Sequence, residues 1–364
     1  MKEKVALLGS SGIVSQRFQQ RLANHPWFEL GAVFGTKENA GESLNELTWN
    51  LPESRPKLPN LEVISCPTSD LNFQLEKLNI QLVFSALPSA AALEIEPLLR
   101  QAGKHVFSNS APYRMDSEVP LVIPEINPQH LLLLESQKSK YLGGTITCST
   151  NCTVMPVVIP LKPIIDELGI NSIQVQSEQS LSGGGLQMIT DAKNSGNVGT
   201  EIFGEAEKIA EEAHVLLGEL NGNEVIPAKF ATEISCKRVM RKFGHLVKLE
   251  VELSKTTTVD EIESLLDKFS SLPQELDLPS APLKPIMVVR SEIDPDIHQW
   301  AGAESLENPD PANDLRSGMA IVVSDLHVTE NHLSFTAFSE NTIRGAAGGC
   351  LLLAELAFKQ GLLV

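Results

Sequence analysis

No apolar run in this 364-residue sequence is long enough to cross a membrane. Stretches such as Val154 to Leu161 and Ile321 to Val323 fall far short of the roughly 20 residues a spanning helix needs. The N-terminus reaches Gly9 and Ser10 after a very short apolar run, without the longer apolar region and cleavage site of a secretory leader. The expected location is therefore cytoplasmic. Cations are scarce: 29 Lys and Arg against 46 Asp and Glu give a formal net charge of −17. That argues against nucleic acid as a partner, since phosphate backbones require a basic face. An anionic small substrate stays possible, because distant acidic charge is screened, but it demands a specific local cluster of Arg and Lys. The cysteines are few and odd in number: Cys66, Cys148, Cys152, Cys236 and Cys350. This fits free thiols in a reducing compartment and excludes a disulfide framework. Cys148 and Cys152 lack a second cysteine or histidine pair nearby to complete a zinc site, so no metal is expected. Internal repeats and low-complexity segments are also missing.

What is present is the ordinary composition of a globular chain, 42% hydrophobic and 21% charged, at a length that favours two domains. Val5 to Leu8 reads as a buried strand, followed by Gly-Ser-Ser-Gly and a helix carrying Ile13, Val14, Phe18 and Leu22 on its apolar face. Phe28 to Phe34, Glu62 to Ser65, Leu82 to Leu87 and His105 to Ser108 supply further strands, with a helix at Ala90 to Gln101. Strands alternating with helices predict a parallel, doubly wound α/β sheet. From about residue 145 the pattern changes. Thr145 to Thr147 is a strand running into a long helix, Cys152 to Leu168. The segments Ser172 to Leu181, Ala231 to Met240, Leu246 to Leu253, Ile286 to Val289, Met319 to Val328 and Leu333 to Ser339 read as longer, alternating strands with few helices between them. They predict a mixed or antiparallel sheet in a second, α+β unit. Leu272 to Pro285 reads as a proline-rich loop, and Gly345 to Lys359 as a helix whose small residues permit close packing.

Gly9-Ser10-Ser11-Gly12-Ile13-Val14-Ser15 joins the first strand to the first helix. Backbone N–H groups and a helix N-terminus at such a turn can meet a pyrophosphate. The plain alternative is a tight strand-to-helix turn; its place at the first βα junction favours a nucleotide. The ribose should meet Thr36-Lys37-Glu38, where a hydroxyl and lysine suit a 2′-phosphate while Glu38 suits a free 2′-hydroxyl. NADP and NAD both remain open at this point.

Cys152 follows Ser149-Thr150-Asn151 where a strand ends and a helix is expected to begin. With Asn151 as N-cap, the thiol would fall in the first helical turn, where the dipole and free N–H groups lower its pKa. The alternative is a small buried apolar residue, the reading adopted for Cys66 and Cys350. A nucleophilic cysteine needs a base and an anion-stabilising site. Gln179 with the run Ser180-Leu181-Ser182-Gly183-Gly184-Gly185 supplies an amide and a flexible backbone. Arg238 and His245 flank the turn Lys242-Phe243-Gly244. His25, His130, His214 and His332 read as packing or surface residues.

Taken together, Ser149-Thr150-Asn151-Cys152-Thr153, the Gln179 to Gly185 run, Arg238 with His245, and Asn341-Thr342-Ile343-Arg344-Gly345 resemble the aspartate-semialdehyde dehydrogenase family. Ser108-Asn109-Ser110-Ala111-Pro112-Tyr113-Arg114 and Val119 to Glu125 add to the likeness and point to its archaeal and fungal branch. The resemblance runs from Gly9 to the last helix. It implies an NAD(P)-binding domain over 1–148, to which 345–364 returns, and a catalytic and dimerisation domain over 149–344. It further implies Cys152 as nucleophile on an acyl phosphate, His245 as acid and base, and Gln179 positioning the thioester. Arg238 would hold the α-carboxylate and Glu205 the ammonium, while Lys208 and Arg114 would bind phosphate beside Asn109. Cofactor contacts would come from Gly9, Ser11, Gly12, Ile13, Val14, Thr36, Ser182, Gly183 and Asn341, with NADP the expected cofactor and NAD possible. The expected partners are a small-molecule substrate and inorganic phosphate, within a homodimer or homotetramer. Without the resemblance, Glu205 and Lys208 read as a solvated i, i+3 pair.

Several positions depart from the family pattern: Ser15 replaces a fingerprint glycine, Glu38 an arginine, Thr150 a proline, and Glu340 a histidine. The loop after Gly185 is also shorter and more polar. These leave the catalytic set in place but allow the substrate to differ. The alternatives are a malonyl-CoA reductase, an N-acetyl-glutamyl-phosphate reductase, and a catalytically silent nucleotide-binding paralogue.

Overall fold

The computed structural model describes residues 2–65 and 70–363, so the reading of Cys66 falls outside the described residues. Six strands form the first sheet: β1 (Glu3–Leu8), β2 (Phe28–Gly35), β3 (Val63–Ser65), β4 (Leu82–Ser85), β5 (His105–Ser108) and β6 (Thr145–Cys148). All pair in parallel, in the order β3-β2-β1-β4-β5-β6. This is the doubly wound, Rossmann-type order, whose topological switch lies between β1 and β4. Val5 to Leu8, β4 and β5 are buried throughout, as continuous apolar strands covered on both faces must be. Helix Ile13–Leu22 follows β1, and helix Ser89–Gln101 follows β4. The latter buries Glu96, whose carboxylate accepts a 2.7 Å hydrogen bond from Ser108 Oγ at the end of β5. Helices Leu71–Lys77 and Leu133–Lys140 precede β4 and β6 and were not expected.

The second sheet contains β7 (Ile170–Gln179), β10 (Ala231–Arg238), β11 (His245–Leu253), β12 (Ile286–Val288), β13 (Ile321–Thr329) and β14 (His332–Ser339). A separate hairpin, β8 (Glu219–Asn221) and β9 (Glu224–Ile226), precedes β10. The sheet order is β10-β7-β11-β14-β13-β12, with parallel pairs at both edges and antiparallel pairing between them. It is therefore mixed, as the alternation predicts. Val247, Leu249, Val251 and Leu253 point inward from β11 and share a core with Val157, Val158, Leu161 and Ile164 of helix Met155–Leu168.

Three expectations change. The long helix begins at Met155, not Cys152, leaving the cysteine in a turn ahead of it. Helices Gly185–Ser195 and Val259–Lys268 interrupt a region read as strand-rich, while helix Glu205–Leu216 is the one expected around Glu205 and Lys208. Leu272–Glu275 forms a short helix within the expected proline-rich loop. The C-terminal segment passes through a π-helical turn, Ile343–Ala347, into helix Gly348–Lys359. Leu351, Leu352, Leu353 and Leu356 of this helix share one apolar core with Leu7, Phe18, Phe84 and Phe107 of the first sheet and its first helix. Just ahead of it, Arg344 donates to both oxygens of Glu125 at 2.9 and 2.7 Å in a buried bidentate pair. Among the described residues no helix is long and apolar enough to cross a membrane, and no group of three or more His, Cys, Asp or Glu is placed to hold a metal.

Candidate active site

The chain leaves β6 at Cys148 and crosses Ser149, Thr150 and Asn151 to reach Cys152. Asn151 organises this turn with all its polar groups. Its Oδ1 accepts from Thr153 N at 2.7 Å, its carbonyl accepts from Val154 N at 3.1 Å, and its Nδ2 donates to Glu205 at 2.8 Å. Its backbone N–H donates to Glu212 at 2.6 Å. Asn151 thus caps a turn before the helix and not the helix itself. Gly345 lies against this turn: a Cβ there would sit 2.6 Å from Cys152 Cβ, so only glycine admits the approach.

Cys152 Sγ lies 3.2 Å from Nε2 of His245, the first residue of β11. Gly244 makes that entry possible, with φ at 81° and the Phe338 ring where a side chain would project. On the far side of the ring, Ser180 N donates to His245 Nδ1 at 3.1 Å. β7 and β10 end side by side, with Gln179 paired to Arg238, which brings both to the same pocket. Arg238 Nη1 donates to Ser180 O at 2.8 Å, and Gln179 Nε2 donates to Glu205 at 3.3 Å. Gly183 closes over them; a Cβ there would meet Arg238 Nη1 at 2.8 Å and His245 Cε1 at 3.3 Å. Asn341 ties the loops together, its Oδ1 accepting from Ser180 Oγ, Ser182 Oγ and Gly244 N at 3.1, 3.1 and 2.8 Å.

The resemblance placed Cys152, His245, Gln179, Arg238 and Glu205 at one site, and the fold brings these five together. Arg114 also reaches it, but its Nη1 is paired with Glu212 at 3.0 Å and its Nη2 donates to Asn109 O at 2.9 Å. Lys208 differs: it is exposed and has no ion pair among the described residues. Glu212 escaped the sequence reading. It lies seven residues after Glu205 on the same helix, a spacing that repeats a helical face, but nothing in the run Glu205-Ala206-Glu207-Lys208-Ile209-Ala210-Glu211-Glu212 distinguishes it from its neighbours.

Burial pushes the Cys152 thiol up to about 12, with Glu205 adding to the effect and Arg114 and Arg238 opposing it. This reverses the lowered thiol pKa expected from a helix start, because the cysteine precedes the helix and desolvation outweighs the nearby cations. Burial, then Arg238 and Arg241, push His245 down to about 3. Both shifts favour the neutral forms, thiol and imidazole.

At the other end, the turn after β1 has the features a dinucleotide needs. Gly9 has φ at 109°, and a Cβ there would fall 2.5 Å from Ser15 Oγ. Gly12 starts helix Ile13–Leu22 with no side-chain cap, leaving its first N–H groups free for a pyrophosphate. Asn39 Nδ2 donates to Ser10 Oγ at 3.1 Å, joining the end of β2 to this turn. Glu38 is exposed, and a hydrogen bond from Thr36 holds its carboxyl below the usual range.

Fold and site together define a dinucleotide-dependent oxidoreductase. Residues 4–134 match the semialdehyde dehydrogenase NAD binding domain, and residues 161–344 match the semialdehyde dehydrogenase dimerisation domain. The chain is 36% identical over 366 residues to an aspartate-semialdehyde dehydrogenase of Archaeoglobus fulgidus, covering 99% of each. It is 31% identical over 366 residues to a malonyl CoA reductase (NADP) of Metallosphaera sedula, covering 98% of this chain and 97% of that one. Among solved structures, aspartate semialdehyde dehydrogenase with NADP from Candida albicans superimposes with a TM-score of 0.82 at 26% identity, over 99% of both chains. The chain belongs to the aspartate-semialdehyde dehydrogenase family.

Proposed function

We propose that the chain catalyses the reversible, NADP-dependent reductive dephosphorylation of L-4-aspartyl phosphate to L-aspartate 4-semialdehyde, through a thioester at Cys152, in the synthesis of lysine, threonine and methionine. The observation that carries this reading is the 3.2 Å contact between Cys152 Sγ and His245 Nε2, flanked by one buried arginine and one carboxylate. Those two charges match the α-carboxylate and ammonium of an amino acid: Arg238 takes the carboxylate in a planar fork, and Glu205 takes the ammonium. Arg114 and Lys208 bind the phosphate. Among the described residues the buried Nε of Arg114 and Nδ2 of Asn109 have no hydrogen-bond partner, which supports an anion or substrate oxygen beside them.

In the forward direction the Cys152 thiol gives its proton to His245 as Sγ attacks the acyl carbon and the bond to phosphate breaks, leaving a thioester oriented by Gln179. NADPH, when bound, supplies the hydride that reduces this thioester carbonyl. The backbone N–H of Cys152 stabilises the oxygen that becomes negative, and His245 exchanges a proton with it. Collapse of the hemithioacetal breaks the C–S bond and returns the thiol and the aldehyde. Gly9, Ser11, Gly12, Ile13 and Val14 hold the pyrophosphate, Thr36 the ribose, and Ser182, Gly183 and Asn341 the nicotinamide end. The NADP named in the Candida albicans structure supports NADP over NAD. The division at 148/149, a cytoplasmic location and a homodimer or homotetramer belong to the same reading, the last supported by the dimerisation-domain match.

A steady-state assay tests it. Aspartate semialdehyde with phosphate and NADP should turn over, NAD should serve less well, and malonyl-CoA with NADPH should not. Turnover of malonyl-CoA alone would establish the second reading, which the Metallosphaera sedula relative favours. Cys152→Ser should abolish turnover while circular dichroism stays unchanged; retained activity would rule out the thioester.

A further inference from the structure

The phosphate turn has little positive charge of its own. Gly9 to Val14 contains no Lys or Arg, and Arg17, one turn further along helix Ile13–Leu22, is committed elsewhere. It is buried, pairs with Glu53 at 2.7 Å and donates to Gln20 at 2.8 Å. Lys37 stands beyond the end of β2, where the ribose is assigned. A pyrophosphate adds negative charge to a chain whose net charge is already −17, so the backbone N–H groups of the turn meet it against an unfavourable field.

A cation comes from the second sheet. Lys242 lies in the turn between β10 and β11, and its carbonyl accepts from Ser182 N at 3.0 Å, beside the loop assigned to the nicotinamide end. The next residue, Phe243, is buried in a small apolar cluster with Leu51 and Ile13, the first residue of the helix after the phosphate turn. The guanidinium of Arg17 lies 5.5 Å from the centre of the Phe243 ring, so this ring packs on the first helix. Lys242 is thus placed where the two halves of the dinucleotide site meet. It is exposed, its ammonium stands 5.1 Å from the centre of the same ring, and it has no ion pair among the described residues. The neighbouring Arg241 differs, since it donates to Gly244 O and Glu178 O, both at 2.9 Å.

We propose that Lys242 is a further cofactor-binding residue: its ammonium supplies the charge that the phosphate turn lacks and takes the pyrophosphate common to NADP and NAD. An exposed cation–π contact holds the ammonium only weakly at Phe243, and the flexible four-carbon stem lets it exchange that contact for a charge-assisted hydrogen bond to phosphate. Phe243 and Gly244 lead directly into His245, so the same contact ties the bound cofactor to the strand whose first side chain faces Cys152. The assignment rests on the reading that the Gly9 to Val14 turn holds the pyrophosphate, and its test reads binding without turnover.

Dissociation constants from isothermal titration calorimetry on the full chain decide it. The unaltered protein should bind both NADP and NAD. Lys242→Gln should weaken both about tenfold, through loss of one charge-assisted hydrogen bond, while Lys242→Arg should stay within about threefold. ADP-ribose, which keeps the pyrophosphate, should follow NADP, whereas adenosine 2′-monophosphate, which has none, should change by less than about twofold. The loss in Lys242→Gln should narrow in about 0.5 M KCl, as an exposed charge is screened. Equal constants for the unaltered protein and Lys242→Gln would overturn the assignment, as would equal weakening by Lys242→Gln and Lys242→Arg. An effect on NADP and adenosine 2′-monophosphate that spares NAD and ADP-ribose would place the ammonium on the 2′-phosphate and overturn it too. A chain that bound neither dinucleotide would remove the reading of the turn itself, and this assignment with it.

Discussion

Arg238 shows how much one side chain does at this site. Its guanidinium donates on one side to Ser180 O, at 2.8 Å, which fixes the orientation of the fork that the proposed reaction assigns to the substrate. Lysine keeps the charge but cannot both hold that carbonyl and present two parallel donors. Arg238→Lys should lose about 2 kcal/mol of charge-assisted hydrogen bonding and raise KM for aspartate semialdehyde roughly thirtyfold, with a smaller fall in kcat. Steady-state kinetics check this, and an unchanged KM would remove Arg238 from the carboxylate site. Glu212 works at the same scale in a quieter role. By accepting from Asn151 N and Arg114 Nη1 it links the turn that carries Cys152 to a candidate phosphate ligand.

At the scale of elements, the site depends on one segment passing extremely close to another. The π-helical turn at Ile343–Ala347 brings Gly345 against the Cys152 turn, with no room for a Cβ. Gly345→Ala should cost about 1–3 kcal/mol through overpacking. Moving Sγ away from His245 by about 1 Å should lower kcat up to about a hundredfold, more than it changes KM. Thermal melts and kinetics on the variant measure both. The first sheet was legible because its strands are short unbroken apolar runs, such as Leu82 to Ser85, that can only be covered on both faces. Helix Gly185–Ser195 was not, since it buries only Ala192 and leaves little periodic signal to read. The site residues were readable as a set in order along the chain, but not individually. Cys152 reads equally as a packing cysteine, and Glu212 reads as one more solvated carboxylate until the fold places it beneath Arg114. The sequence places the helix start too early because Asn151 does cap a turn, one that ends before Met155.

At the scale of the whole molecule, stability should depend on pH through a carboxyl the reaction does not use. Glu96 is buried, and desolvation raises it from 4.5 to about 7 despite the Ser85 and Ser108 hydroxyls. The folded state therefore binds a proton more tightly than the unfolded chain does. This contribution is complete below pH 4.5, diminishes as pH rises, and is lost above about 7. It amounts to on the order of 3 kcal/mol. Glu96→Gln should keep Tm nearly level from about pH 5 to pH 8 where the unaltered protein declines; parallel slopes would assign the dependence elsewhere. The helix Gly348–Lys359 bears on a different property. It fills the core of the first sheet with Leu351, Leu352, Leu353 and Leu356, yet the ribosome makes it only after both sheets have been synthesised. The dinucleotide-binding half thus cannot finish folding as an autonomous unit during synthesis. Its exposed apolar face must wait for the whole second sheet and its helices to be translated, and during that interval the nascent chain is a natural client for chaperones.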